Sequence, residues 1–246
     1  MTATTRPAAP TRPSPDPLRR TSLAAGVLYL LTFVSVPTLM VFRPVQDGAR
    51  YVLGAGSEVG VLWGSFAEVV VALACVGTAV VLFPVVRRQS ETAALGFVAA
   101  RIVEGSLILV GVVSMLTLTS LRSDAGAGLD EASLVTAGTT LVTTYGWTFL
   151  LSQSLMPVVN ALCLGYVLYR SRLVPRILPT VGLVGAPLLL ASDIVVFFGV
   201  YDRLAPVAAL AALPIAAWEL ALGVYLVVRG FRPEAVAALP AGGQVR

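Results

Sequence analysis

The chain has 246 residues, of which 57% are hydrophobic and only 12% charged. An average soluble domain carries roughly 25% charged residues, so a soluble globular fold of this size is excluded. The net charge of +4 rests on 17 basic and 13 acidic groups, an excess better explained by membrane topology than by nucleic-acid binding.

Every basic residue is arginine, and Ala and Val are abundant. That usage points to a bacterium with a G+C-rich genome, such as an actinobacterium. The apolar residues come in long blocks rather than at the periods of a soluble core. About 20 helical residues cross a hydrocarbon layer of roughly 30 Å, so each block reads as a membrane span.

Residues 1–20 carry Pro7, Pro10, Pro13, Pro15 and Pro17 with several Thr and Arg, a composition that predicts disorder. Arg19 and Arg20 precede the first apolar block, 22–42. It is too long for a signal-peptide core and lacks a small-x-small cleavage site, so it is expected to be a retained first helix. The second block, 59–86, closes on Arg87 and Arg88. Gly56, Gly60 and Gly64 form a small-residue ladder entering it, a spacing that suits close helix packing. The third block, 92–121, contains Arg101 and Glu104. An acidic linker around Asp124, Asp130 and Glu131, with Gly126 and Gly128, follows it.

From Ala132 to Tyr169 there is no charge, a stretch too long for one straight span and too short for two. Its Thr-rich start, up to about Tyr145, is expected as an interfacial helix or a helix extension, with Asp130 as N-cap. The fourth span is then 146–169. The fifth, 177–200, begins beside Pro175 and Pro179, as suits a helix N-terminus. The sixth, 204–228, ends at Arg229 and Arg232. The expected architecture is all-α: a six-helix transmembrane domain over 21–232 and a disordered tail over 233–246.

Arginines in alternate loops set the orientation. Arg6, Arg12, Arg19, Arg20, Arg87, Arg88, Arg170, Arg172, Arg176, Arg229, Arg232 and Arg246 fall on one side. Arg43, Arg50, Arg122 and Arg203 fall on the other. The richer side, holding both termini, is expected in the cytoplasm, which makes this a multi-pass protein of the bacterial inner membrane. Tyr51, Trp63, Tyr145, Trp147 and Tyr201 then lie near the outer interface, and Tyr166, Tyr169 and Tyr225 near the inner one.

An ionisable side chain inside a span costs about 2.5–3.5 kcal/mol even on lenient insertion scales, so such residues mark candidate sites. They are Glu68 in the second span, Arg101 and Glu104 in the third, Asp193 in the fifth and Glu219 in the sixth. Gln153 and Asn160 add amides in the fourth. At about 1.5 Å per residue, Asn160, Glu219 and Arg101 share a depth near the midplane. Glu104 and Asp193 lie slightly further out, and Glu68 is nearest the outer face. Arg101 and Glu104, three apart, can pair on one helix face, which leaves Glu68, Asp193 and Glu219 competing for the same guanidinium. Surplus buried acids imply a proton-binding or wet interior, or a polar network that locks helix register.

Cys75 and Cys163 sit inside apolar blocks and form no C-x-x-C pair, so they read as small core residues. The lack of histidine removes bis-His haem, H-E-x-x-H zinc and Ser-His or Cys-His nucleophile pairs. There is no P-loop and no G-x-G-x-x-G, so no catalytic residue, metal or cofactor is expected, and an enzyme is the less favoured class.

The stretch YVLGAGSEVGVLWGSFAEVV from Tyr51, then FPVVRRQSETAALGFVAARIVEG from Phe83, and LCLGYVLYRSRLVPRILPTVGLVGAPLLLASD from Leu162 resemble the bacterial integral-membrane family domain of unknown function 4386. The likeness runs from about Arg19 to Pro233. It is most specific around Gly54–Gly56, Pro84–Glu104 and Tyr169–Pro175. The resemblance implies a multi-pass membrane protein and assigns no activity.

Two classes of function remain. One is a small transporter, channel or proton-linked carrier of a small molecule or ion, using Arg101, Glu104, Asn160 and Glu219. The other is a non-catalytic accessory or sensory protein of the lipid bilayer with a structural polar network, whose protein partners the sequence does not name.

Overall fold

The computed structural model describes residues 17–123 and 128–240. Residues 1–16, the linker around Asp124 and Gly126, and residues 241–246, with Arg6, Arg12 and Arg246, lie outside the described residues. Among the described residues, regular structure is entirely helical. Six segments are long and apolar enough to cross a membrane: Pro17–Val41, Glu58–Val86, Glu91–Arg122, Glu131–Ser171, Ile177–Phe197 and Pro206–Val228.

The first segment is not one helix. Helix α1 (Pro17–Thr32) is followed by a break and then by α2 (Ser35–Val41). Pro37 has no N–H to offer the Phe33 carbonyl four residues back, which instead accepts from Val36 at 3.1 Å. A short 3-10 turn (Arg43–Val45) and α3 (Gly48–Val52) follow. Together they fold inward, burying Phe42, Val45, Tyr51 and Val52 against Val61, Met115, Leu118 and Tyr145. The bundle therefore carries a cap at this end, where the sequence suggested a plain span over 22–42.

Helix α4 (Glu58–Val86) starts at Ser57, whose hydroxyl accepts from the Gly60 N–H at 3.1 Å. The chain turns into it through Gly54 and Gly56, with φ of +108° and +78°, backbone values that cost glycine nothing. Gly56 therefore belongs to the turn rather than to a packing ladder. Gly64 does serve packing, since a Cβ there would lie 2.7 Å from the Phe42 ring. Helix α5 (Glu91–Arg122) is capped by Ser90.

Helix α6 (Glu131–Phe149) is capped by Asp130, which accepts from the Ser133 N–H at 3.1 Å. The helix then continues without a break through a π-helical segment, Leu150–Leu155, into α7 (Met156–Ser171). The uncharged stretch is thus one helix with a wide turn in its middle. Helix α8 (Ile177–Phe197) ends three residues before the expected 200, and α9 (Pro206–Val228) begins at a proline in its first turn.

The segment 233–240, expected as disordered tail, holds the short helix α10 (Pro233–Ala237). Val236 and Leu239 are buried in the main core, and Arg88 donates to the Leu239 and Pro240 carbonyls at 3.2 Å each. An apolar pair placed three apart gives even this short piece a face to bury.

The helices form a closed ring in chain order. Helix α4 packs on α5, α5 on α6 and α7, α7 on α8, α8 on α9, and α9 returns to α1, which packs on α4. Small residues permit the closest crossings. A Cβ at Gly26 would lie 2.7 Å from the Gly223 carbonyl oxygen, at Gly105 2.9 Å from the Ala72 carbonyl oxygen, and at Gly182 2.5 Å from the Trp218 ring. Outward faces carry Leu73, Val80, Val113 and Leu210, all more than half exposed, as lipid-facing positions require. One end of the ring gathers Arg19, Arg20, Arg87, Arg88, Arg170, Arg172, Arg176, Arg229 and Arg232. The cap closes the other.

Candidate functional site

Helix α5 places Arg101 and Glu104 one turn apart on its inner face, and the two pair at 2.9 Å through Nη1 and Oε2. Arg101 has no exposed surface. Its Nη2 donates to Glu219 Oε1 of α9 at 3.1 Å. The same oxygen accepts from Asn160 Nδ2 of α7 at 2.8 Å. Four expected residues from three helices thus meet in one network. A fifth group, Tyr29 of α1, puts its ring 4.8 Å from the Arg101 guanidinium carbon and its hydroxyl 3.5 Å from Asn160 Oδ1. Cys75 Sγ of α4 lies 3.7 Å from Nη1. An arginine fork with both ends on carboxylates is a strong buried arrangement, and the aromatic face adds a cation–π contact.

Glu68 and Asp193 are not part of it. The expectation that all three surplus acids compete for Arg101 gives way to a division: Glu219 takes the guanidinium, and the other two rely on neutral donors. Glu68, fully buried on α4, accepts from the Tyr145 hydroxyl at 2.6 Å, and over longer distances from Gln153 Nε2 at 3.4 Å and Thr38 Oγ1 at 3.5 Å. Its Oε2 has no protein partner, nor has the buried hydroxyl of Ser65 one turn earlier. Asp193 on α8 accepts from Ser154 Oγ at 2.6 Å, while its buried Oδ2 is unpartnered.

One donor to each of these acids comes from a single stretch of chain. Gln153 reaches Glu68, Ser154 reaches Asp193 and Asn160 reaches Glu219, all from the π segment and the start of α7. Tyr145 and Gln153 are eight apart yet converge on one carboxylate. At about 100° per residue, seven residues return nearly to the same face, whereas eight overshoot it. The π segment absorbs the extra residue, as such bulges do inside helices.

Near the capped end, Arg203, in the turn between α8 and α9, lies over the Phe149 ring at 4.8 Å and the Tyr145 ring at 6.0 Å. Burial pushes its guanidinium below the ordinary value, opposed by the nearby Tyr145, Asp202 and Glu68. A cleft of about 110 Å³ lies between the π segment and the end of α8, with Asp193 in its lining.

Sequence reasoning missed Tyr29, Tyr145 and Ser154. The sequence places Tyr145 and Tyr51 in an interfacial belt, whereas both are buried, at 5% and 0% exposure. A tyrosine hydroxyl inside a protein needs a partner, and Tyr29, the lone tyrosine of the first span, carried that signal. Ser154 had none. Trp63 and Trp147 do face outward.

Six apolar helices in a ring, with charged side chains turned inward, define a multi-pass membrane bundle built around a buried ionic network. The chain matches the family model for a domain of unknown function (DUF4386) over residues 24–230 and belongs to that family. Neither the curated proteins nor the solved structures gave a match.

Proposed function

We propose that this protein is a small proton-linked carrier of the bacterial inner membrane, with both termini cytoplasmic, in which Glu219 and its partners exchange protons. One observation carries the reading. Away from the helix ends, the described spans hold four carboxylates, Glu68, Glu104, Asp193 and Glu219, and one guanidinium, Arg101, which Glu104 and Glu219 already engage. With all four ionised, negative charge would outnumber positive even with Arg203 near Glu68 counted, and isolated buried charges are too costly to persist. Such acids bind protons or cations, and bound protons can be passed on.

In the network, Arg101 holds Glu104 and Glu219 together, and Asn160 steadies the Glu219 oxygen that Arg101 also holds. A proton arriving at Glu219 would weaken its pairing with Arg101, coupling protonation to the tie that holds α9 to α5 across the interior. The expected cargo is a small molecule or ion. The experiment is proton flux into liposomes holding the purified protein, driven by an imposed pH difference and read with a trapped dye. Glu219→Gln is expected to fold normally and to lose the flux. Flux no greater than in empty liposomes, or undiminished in Glu219→Gln, would overturn the reading.

A second reading is favoured by the pairing of Arg101 within the protein, whose Nη1 and Nη2 both donate to carboxylates while its buried Nε has no partner. In that reading the charges lock helix register and the protein serves an accessory or sensory role. Unfolding of Glu219→Gln would favour it.

A further inference from the structure

The arginine-rich end of the ring is not uniform. Arg19 and Arg88 turn onto the fold itself, donating to backbone carbonyls of the last turn of α9 and of the C-terminal segment. The end of α7 and the turn into α8 instead carry three exposed arginines in seven residues, Arg170, Arg172 and Arg176. None has a carboxylate within 4.0 Å among the described residues, and the sequence holds no acid between Glu131 and Asp193. The C-terminal segment touches this turn through the Arg232 N–H, 3.0 Å from the Leu173 carbonyl, yet its Glu234 forms no ion pair there. Arg176 is held in place: its guanidinium stacks on the Tyr169 ring at 4.8 Å and its Nε donates to the Tyr169 carbonyl at 3.4 Å. Its two Nη groups remain available as donors. Arg172 ends α7 with φ of +58°, a left-handed position usually filled by glycine. The surface beside these groups faces outward, with Tyr166 and Tyr169 three apart in the last turns of α7 and Ile177 opening α8, all exposed.

We propose that this turn is a binding site for one anionic phospholipid, with the phosphate held by Arg170, Arg172 and Arg176 and an acyl chain lying along Tyr166 and Ile177. Guanidinium groups match phosphate oxygens in charge and in the spacing of their donors. Basic clusters at the ends of membrane helices attract acidic headgroups, and exposed tyrosines sit at the same level of the bilayer. A zwitterionic lipid brings its own ammonium group, which three guanidiniums without a carboxylate repel, so net negative charge is selected. Scattered arginines would serve topology alone. Here one of the three is fixed on a tyrosine of the outward face, and an apolar surface runs from that tyrosine toward the hydrocarbon layer. The site requires only that the chain spans a membrane and stands independently of proton exchange at Glu219.

The test is native mass spectrometry of the full chain released from nanodiscs of equal parts phosphatidylglycerol and phosphatidylcholine, counting the lipids that stay bound. Each arginine near an anionic surface contributes roughly fivefold, so one phosphatidylglycerol is expected to be retained over phosphatidylcholine by about tenfold or more. Replacing Arg170, Arg172 and Arg176 together by Gln should bring the two lipids to parity. Replacing Arg20, Arg87 and Arg229 together by Gln removes equal charge from exposed positions at the same end and should leave the preference unchanged. If the first triple variant does not accumulate, Arg176→Glu alone should cut the preference by about fivefold or more. Equal losses in the two triple variants would overturn the site in favour of a diffuse attraction by the whole end. Parity in the unaltered protein would end the proposal outright.

Discussion

Asn160 and Glu219, on α7 and α9, meet at 2.8 Å through an amide nitrogen and the carboxylate oxygen that Arg101 also holds at 3.1 Å. Two helices that are not neighbours around the ring are thereby joined across its interior. The oxygen accepts one charged and one neutral donor, so losing either does not have the same consequence.

Removing Arg101 leaves Glu104 and Glu219 buried without their cation. Breaking one side of a buried ion pair costs about 3–5 kcal/mol, so Arg101→Gln is expected to be severely destabilised in detergent. Glu219→Gln keeps an oxygen that can accept from Asn160 and leaves Arg101 paired with Glu104, so its loss should be clearly smaller. Denaturation midpoints of the two variants decide this; equal losses would show that Arg101 matters only through Glu219.

Arg19 closes the ring between α1 and α9. Its Nη1 and Nη2 donate to the Leu226 and Val227 carbonyls at 3.1 and 2.6 Å, in the last turn of α9. Those carbonyls have no partner within the helix, and a cation there also meets the negative end of the helix dipole. Hydrogen bonds to charged groups contribute about 1.5–3 kcal/mol. Arg19→Ala should cost about that much and raise amide exchange first in the last turn of α9. Uniform exchange across the bundle would contradict a local cap.

Gly26 and Gly146 make a matched pair. A Cβ at Gly26 would press on the Gly223 backbone at 2.7 Å, and backbone cannot yield, whereas at Gly146 the nearest atom is Arg203 Nε at 3.7 Å. Overpacking costs about 1–3 kcal/mol, so Gly26→Ala is expected to lose that much. Gly146→Ala should be neutral or gain up to about 1 kcal/mol from helix propensity. Thermal midpoints falling together would disprove the close crossing of α1 and α9.

Asp130 is exposed, and hydrogen bonds from the Ser133 side chain and backbone hold its carboxyl below the ordinary 3.8. A lowered folded value means the cap contributes fully above the unfolded value and fades as pH falls through the folded one. Carboxyl resonances titrated by NMR should therefore give an Asp130 midpoint under 3.8, and Ser133 should lose its shift dependence in Asp130→Asn. A midpoint at or above 3.8 would rule the cap out.

Much of the architecture was legible from residue order. Uninterrupted apolar blocks, Arg87 and Arg88, Asp130 before a charge-free run and the three-residue spacing of Arg101 and Glu104 are local signals. The membrane makes them strong, because a charge is costly within the hydrocarbon layer. The helix ends near Val86 and Val228 and the Arg101–Glu104 pair at 2.9 Å follow from them.

The rest depended on which helices touch. That Glu219 rather than Glu68 or Asp193 takes the Arg101 guanidinium is settled by α9 closing the ring on α1, which brings together residues 118 positions apart. That Tyr145 turns inward to Glu68 while Trp147 faces out depends on helix rotation. Packing fixes that rotation, and no period in the sequence announces it. The cap formed by Phe42, Val45 and Tyr51 belongs here too, since its residues are as apolar as lipid-facing ones and only packing tells them apart. Composition and residue order thus determined that this chain is a helical membrane bundle with charges inside its spans and that Arg101 can pair with Glu104 on its own helix; the partners of Glu68, Asp193 and Glu219 were decided by tertiary packing, because they lie on other helices and have no local cation until the bundle is assembled.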